Sequence, residues 1–301
     1  MKLRNLGEDR LLNPLLAGLS LGKAVAVGPG DDCALVAIHD RRKLLVLKVD
    51  CVVEGVHFLR GTSASDVGWK AMMRPLSDFA ATSAVPQFAL ITVIVPEQTK
   101  VAWIKELYRG LRRAARRFDV SIVGGETSST PGEIAISTSV IGFVEKHRAV
   151  SRRGGKPGDD LFVTGQLGGA LRQKHLQFIP RIVESRWLTE NFSIHAMMDL
   201  SDGLGADLPR LARASKVGFK LDTENLPLTS GAKINDAISE GEDYELLFAT
   251  SPRNRNRLER EWTKRFPRLP LTRIGSLSQF STKDNQLLPR GYVHFQQSGG
   301  Y

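Results

Sequence analysis

Apolar residues recur along this chain in two rhythms. Continuous or alternating runs, the mark of strands, fall at 34–36, 44–53, 88–95, 120–125 and 133–144. In the last of these, Ile134, Ile136, Thr138, Val140 and Gly142 occupy alternate positions. Spacings of three and four predict helices instead. Over 99–117, Val101, Ile104, Leu107, Tyr108 and Leu111 line one side, and Lys105, Arg109, Arg112, Arg113, Arg116 and Arg117 the other. Over 65–84, Ser65 stands as N-cap and Asp66 in the first turn. Pro75 predicts a kink or break just before Asp78, because proline removes a helical N–H and displaces the preceding turn. Leu11, Leu12, Leu15, Leu16 and Leu19, interrupted by Pro14 and Gly18, predict a short helix or two over 1–27.

A stretch dense in glycine and charge at 151–160 reads as a domain boundary. Beyond it the pattern gives a strand at 161–164, helices near 168–175 and 180–190, a strand at 194–199 and a helix at 203–215. A strand at 217–222, a helix near 230–239, a strand at 243–249, a helix at 253–265 and a strand near 270–276 follow. This alternation predicts a mixed α/β fold.

The 301 residues, 42% of them hydrophobic, suffice for the cores of two ordinary domains. Lys and Arg outnumber Asp and Glu by 42 to 32, a formal charge of +10. Such an excess favours an anionic partner without choosing among nucleic acid, membrane surface and nucleotide. The basic stripe on 99–117 lacks interleaved aromatics and reads as a solvated helix face, so no nucleic-acid partner is expected. Cys33 and Cys51 have neither CxxC spacing nor a Cys/His set beside them, which argues against zinc and disulfide frameworks. No apolar run approaches the roughly 20 residues of a membrane helix, and the first ten residues lack a signal-peptide core. A soluble, cytoplasmic protein without a membrane partner is expected.

Acidic residues stand where strands end and glycines cluster. Asp31 and Asp32 follow Gly28-Pro-Gly30, Asp50 closes an apolar run, Asp78 lies in Leu-Ser-Asp-Phe, and Glu126 follows Gly124-Gly125. Asp199-Leu-Ser-Asp202-Gly-Leu-Gly lies where a strand hands over to a helix. A carboxylate in such surroundings is costly without a compensating cation, and magnesium is commonly held by a few carboxylates plus substrate phosphates. One aspartate before a helix is more often an N-cap than a ligand. Five such features in one chain point to metal-phosphate chemistry. The familiar nucleotide signatures are absent: Gly18-Leu-Ser-Leu-Gly22-Lys23 is one residue short of a P-loop, and Gly203-Leu-Gly205 lacks the last small residue of a dinucleotide fingerprint.

The motifs Gly30-Asp-Asp-Cys-Ala-Leu, Val49-Asp50 through Gly55-Val-His57-Phe58, Leu76-Ser-Asp78, Gly124-Gly125, Lys156-Pro-Gly-Asp159, Asp199-Leu-Ser-Asp-Gly-Leu204 and Gly241-Glu-Asp-Tyr-Glu-Leu246 together resemble the thiamine-monophosphate kinase family. The resemblance spans nearly the whole chain in the family's order. It implies magnesium-dependent transfer of phosphate from ATP to thiamine monophosphate, giving thiamine diphosphate. It also implies the two-domain aminoimidazole ribonucleotide synthetase-like fold, with an ATP-, magnesium-binding and dimerisation domain at 1–148 and an α/β domain closing the substrate cleft at 149–301. A homodimer joined through the N-terminal sheet is expected. Position by position, the resemblance implies magnesium at Asp32, Asp50, Asp78, Glu126, Asp199 and Asp202, and ATP at Gly125, Arg152 and Ser201. Thiamine monophosphate falls to His57, Glu242 and Tyr292, with Asp50 and Asp78 at the catalytic centre, where Lys48, on the same strand as Asp50, is expected to join them.

Several positions depart from the family's pattern. Lys48-Val49 stands where relatives usually carry Ser-Thr, Glu126 replaces an aspartate, Pro75 an asparagine, and Thr82-Ser83 the pair Met-Gly. On a strand Lys48 shares a face with Asp50, which predicts its ammonium near Asp32 and Asp78, in place of part of one cation's charge, and fewer bound magnesium ions. These changes leave a non-catalytic nucleotide or thiamine-phosphate binding homologue, or another ATP-using member of the superfamily, as competing readings.

Overall fold

The structure is a computed structural model and describes residues 8–172, 174–280, 288–289 and 291–292. The first half consists of α1 (Glu8–Ala17), β1 (Val25–Val27), β2 (Ala34–Ala37), β3 (Lys43–Val53), α2 (Ala64–Ala81), β4 (Val85–Val95), α3 (Val101–Arg117), β5 (Ser121–Ser129) and β6 (Ala135–Glu145). Its strands form one six-stranded sheet in the order β1-β2-β3-β6-β4-β5. Only β4 and β5, joined through α3, run parallel; the other neighbours are antiparallel.

The second half consists of β7 (Asp160–Thr164), α4 (Lys174–Gln177), α5 (Ile182–Asn191), β8 (Ile194–Asp199), α6 (Leu204–Ser215), β9 (Gly218–Leu221), α7 (Ile234–Ser239), β10 (Leu246–Thr250), α8 (Arg255–Arg265) and β11 (Leu271–Ser278). Among the described residues its five strands lie in the order β8-β10-β7-β11-β9, antiparallel throughout. Every residue of β7 and β10 is buried, because both faces of the sheet are covered. Phe162 and Phe248 point into one core, and Leu161, Val163, Leu247 and Ala249 into another lined by Leu204, Leu208 and Leu211 of α6. Continuous apolar runs are what such two-sided burial requires.

α2 is the pivot of the molecule. It is buried on nearly every side, packed between β3 of the first sheet and the α4, α5 and β8 elements of the second half. The core around Val46, Met72, Leu76 and Phe79 therefore runs without a break into Phe178, Phe192 and Phe248. Pro75 does not break this helix, which continues through it to Ala81. The enclosing core holds the turn that has lost its N–H. The start also shifts: Ser63 takes the N-cap position, without a side-chain cap bond, and Ser65 lies inside the first turn. α3 crosses α2 at glycines: a Cβ on Gly68 would fall 2.1 Å from the Leu107 carbonyl oxygen, and one on Gly110 1.9 Å from that of Ser65.

In the second half, 168–175 is a 3-10 turn at Ala170–Arg172 followed by α4, and residues 243–245 precede β10 rather than belonging to it. No helix among the described residues is long and apolar enough to cross a membrane.

Candidate active site

Alternation along β3 sets the first part of the site. Leu44, Val46 and Val52 face the core, and Lys48 and Asp50 share their face, so an apolar strand surface passes into a charged one. α2 brings Ser77 and Asp78 to the same place, β8 ends there at Asp199, and Asp32 lies just before β2. Carboxylate oxygens of Asp32, Asp78 and Asp199 lie within 4.8 Å of one another, and all three residues are buried.

Positive groups partly answer this charge. The Lys48 ammonium lies 2.9 Å from Oδ1 of Asp78 and 3.7 Å from Oδ2 of Asp50. Arg152 donates through Nε (3.2 Å) and Nη2 (2.6 Å) to Oδ1 of Asp32, and its backbone N–H meets Oδ1 of Asp31 at 3.2 Å. Ser77 Oγ donates to Oδ2 of Asp199 at 2.6 Å. Oδ2 of Asp32 is buried with no hydrogen-bond partner among the described residues.

Titration follows from this shortage of cations. Burial, reinforced by Asp32, pushes the Asp199 carboxyl up to about 7. Burial also raises Asp78 well above the usual carboxylate range, with Lys48 opposing and Asp50, Asp199 and Asp32 adding. At Asp50 burial acts in the same sense, but Lys48 and Arg74 outweigh it and the carboxyl is lowered. For Lys48 burial disfavours the charge, yet Asp78 and Asp50 outweigh it and raise the ammonium. An all-oxygen donor set, deficient in positive charge and containing an orphaned carboxylate oxygen, suits a hard divalent cation.

A second group adjoins the first. The His57 ring accepts the Val53 N–H at Nδ1 (3.1 Å), and its carbonyl accepts the Lys70 ammonium at 2.6 Å. Lys70 also pairs with Glu242, whose Oε2 lies 2.9 Å from Nδ1 of His175. The backbone N–H of Glu242 donates to the Ser201 carbonyl (2.8 Å) and that of Tyr292 to the Asp202 carbonyl (2.9 Å). Thus His57, Ser201, Glu242 and Tyr292 belong to one neighbourhood.

Two residues expected at the metal have their carboxylates turned to other partners. The Asp202 carboxylate pairs with Arg210, and the N–H groups of Ser201 and Asp202 are taken by Oδ2 of Asp207 at 3.1 and 3.0 Å. Asp207 is fully buried and is pushed up to about 8, by burial first and by the Asp202 charge second. Glu126 is exposed on the edge strand β5, its Oε1 accepting the Thr127 N–H. Strand register puts Asp50, Thr138, Ile91 and Gly125 in one row, and Cys51, Ser137, Thr92 and Glu126 in the next. Adjacent rows face opposite sides of a sheet, so Glu126 points away from Asp50. Gly125 itself closes on its neighbour: a Cβ there would fall 1.8 Å from the Ile91 carbonyl oxygen.

Comparison with known proteins gives this geometry its context. The family model described as AIR synthase related protein, N-terminal domain, matches residues 30–144, and that of the C-terminal domain matches 139–259. The thiamine-monophosphate kinase of Rhodopirellula baltica is 35% identical over 296 residues, covering 90% of this chain and 92% of its own length. That of Aquifex aeolicus is 33% identical over 328 residues, covering 98% and 100%. The chain belongs to the thiamine-monophosphate kinase family.

The solved structure of AaThiL complexed with AMPPCP and TMP matches this family member with a TM-score of 0.82 at 32% identity, covering 98% of this chain and 99% of that one. E. coli HypE, a hydrogenase maturation protein, shares the fold at 17% identity with a TM-score of 0.68.

Within this thiamine-monophosphate kinase family member, sequence reasoning passed over Lys70, Arg74, His175 and Asp207. Arg74 donates to the Cys51 carbonyl at 3.0 Å beside Asp50. Lys70 and Arg74 sit in a helix whose apolar residues occupy every face, so no polar stripe marks them. For Asp207 a signal existed: it lies in the first turn after Gly203, where a carboxylate meets unpaired N–H groups.

Proposed function

We propose that this protein transfers the γ-phosphoryl group of ATP to the phosphate of thiamine monophosphate, releasing ADP and thiamine diphosphate. The observation that carries this reading is the buried set Asp32, Asp78 and Asp199 with its unpartnered Oδ2 on Asp32. Such a set needs external positive charge, which a magnesium–nucleotide complex would bring. The complex of AaThiL with AMPPCP and TMP supports the same pair of ligands.

In this reading Asp32, Asp78 and Asp199 hold magnesium together with Asp50. Bound there, magnesium supplies neutralisation of the ATP phosphate charge. Arg152 exchanges its hold on Asp32 for a nucleotide phosphate, and the tight backbone at Gly125 and the turn at Ser201 border the nucleotide. His57, Glu242 and Tyr292 take the acceptor. A phosphate oxygen of thiamine monophosphate attacks the γ-phosphorus, and the bond to the β–γ bridging oxygen breaks with its electron pair leaving on ADP. The acceptor oxygen is already ionised at neutral pH, so positioning and charge stabilisation suffice and no general base is needed. Lys48 supplies a fixed positive charge between Asp78 and Asp50, and on this account the site takes fewer magnesium ions than a hydroxyl-bearing pair at 48–49 would support.

The same reading divides the chain into an ATP-, magnesium-binding and dimerising part at 1–148 and a cleft-closing part at 149–301, acting in the cytoplasm. Two copies pair through the outer face of the first sheet. Support comes from Leu47, Val49, Val85, Phe88, Leu90 and Val123, large apolar side chains exposed on strands of that sheet.

A second reading, a homologue that binds the same ligands without turnover, is favoured by the outward-facing Glu126 and by the Arg210 partner of Asp202. Simultaneous measurement of ADP and thiamine diphosphate separates the two. The kinase reading expects both products with magnesium and neither after chelation; ligand binding without either product would establish the second.

A further inference from the structure

Lys70 is the one fully buried ammonium among the described residues, set in the middle of α2. A buried lysine is tolerated only when its charge is answered. Here its donors reach the His57 carbonyl at 2.6 Å and Oε2 of Glu242, and Nδ1 of His175, which donates to the same Oε2, lies 2.9 Å away. Enclosed by these groups and without exposed surface, Lys70 offers nothing for a ligand to touch. It holds other groups in place.

The groups it holds come from both halves of the molecule. His57 follows β3 in the first half; His175 lies on α4, and Glu242 on the segment before β10, in the second. That segment is itself strained, with φ of +68° at Glu242 and +51° at Tyr244, an uncommon conformation for residues other than glycine. Backbone N–H bonds from Glu242 to the Ser201 carbonyl and from Tyr244 to the Leu200 carbonyl, both 2.8 Å, anchor it, and the Tyr244 ring stacks on Phe178. Its conformation turns the Glu242 side chain toward α2. Oε2 receives both Lys70 and His175, whereas no donor among the described residues reaches Oε1.

Electrostatics keep the carboxylate ionised. Burial acts to raise Glu242, but the His175 hydrogen bond and the charges of Lys70 and Arg74 outweigh it and bring the carboxyl down to about 2. Glu242 is thus an obligate acceptor at neutral pH, with one oxygen tied and the other available.

We propose that Lys70 is a positioning residue for the acceptor subsite, fixing the His57 backbone and the Glu242 carboxylate so that Oε1 of Glu242 receives an N–H donor from the organic part of the acceptor. This rests on the assignment of His57 and Glu242 to thiamine monophosphate. Lys70 touches neither substrate, and its influence falls on one substrate only.

The test is steady-state kinetics of the full chain with each substrate varied in turn, for wild type, Lys70→Met and His175→Gln, alongside thermal melting. Lys70→Met is expected to raise the KM for thiamine monophosphate by about tenfold or more while the KM for ATP stays within about twofold, because only the acceptor's hydrogen-bond partner loses its fixed position. His175→Gln keeps the ammonium paired with Glu242 and is expected to give a smaller rise in the same parameter. It also carries the test if Lys70→Met does not fold. An unchanged KM for thiamine monophosphate in the folded variants overturns the proposal. Equal rises for both substrates, or a fall in kcat alone, also overturn it, since they mark general docking of the two halves. Wild type with no turnover of thiamine monophosphate and no binding of it by calorimetry would instead remove the functional reading itself, and with it the substrate assigned to Glu242.

Discussion

Asp50 and Asp78 share one lysine, yet the same surroundings lower the first carboxyl and raise the second. Burial acts to raise both; at Asp50 it is outweighed by Lys48, Arg74 and the hydrogen bond with Asp78, whereas at Asp78 the charges of Asp50, Asp199 and Asp32 add to it against Lys48. Of the two, Asp50 is the one held ionised in advance of the nucleotide. Asp50→Asn is therefore expected to lower kcat by about 10²-fold or more, the scale seen when one electrostatic contact to a reacting group is removed. Turnover at the wild-type rate would take Asp50 out of the catalytic centre. Lys48 gives a metal-count prediction: Lys48→Ser should bind one more Mn²⁺ per chain with a non-hydrolysable ATP analogue, read by paramagnetic resonance of the free ion.

Away from the centre, Arg186 donates to both oxygens of Glu145, at 2.7 and 3.0 Å, and brings its carboxyl from 4.5 down to about 2. A carboxyl depressed on folding stabilises above its unfolded value and loses that contribution as pH falls through the folded one. Stability should drop between pH 4.5 and about 2, and Glu145→Gln should flatten that part of the urea-midpoint profile. Lys48 was legible as a neighbour of Asp50 from strand alternation alone. Its expected neighbour Asp78 is there too, 2.9 Å away, brought in by α2 through tertiary packing. Asp32, also expected beside Lys48, is instead held by Arg152 from beyond the 151–160 stretch.

At the scale of elements, α2 shows where local rules yield to packing. Proline in a helix costs about 3 kcal/mol in isolation, yet Pro75 is buried and the helix continues. What governs this helix is its contact with α3, where two backbones meet at Gly68 and Gly110. Gly110→Ala places a Cβ 1.9 Å from the Ser65 carbonyl oxygen, and neither partner is a flexible side chain. It should cost about 1–3 kcal/mol by overpacking, seen as a lower urea midpoint with an unchanged slope. An unaltered midpoint would mean that the helices can separate freely. The strands were legible as runs because alternation and two-sided burial leave direct marks. β5 was legible only as far as Gly125, since its later residues Glu126 to Ser129 are polar and owe their strand to pairing with β4.

For the whole molecule, two sheets of different character are joined by one buried helix and a continuous core, so the site is assembled from both halves at once. The carboxylates and the family motifs were visible along the chain. The partners Lys70, His175 and Arg210 were not, because no spacing rule links residues that meet only through the joined core. If the outer face of the first sheet pairs two copies, Phe88→Asp should convert a dimer to a monomer in sedimentation, with little change in melting of the single chain. A wild-type monomer would remove that role for the exposed apolar residues. The central claim, direct transfer between two phosphates, is tested by following the label from [γ-³²P]ATP with thiamine monophosphate and magnesium. Label is expected in thiamine diphosphate, one for each ADP formed; label found only in inorganic phosphate, or remaining in ATP while both substrates are bound, would rule out direct transfer.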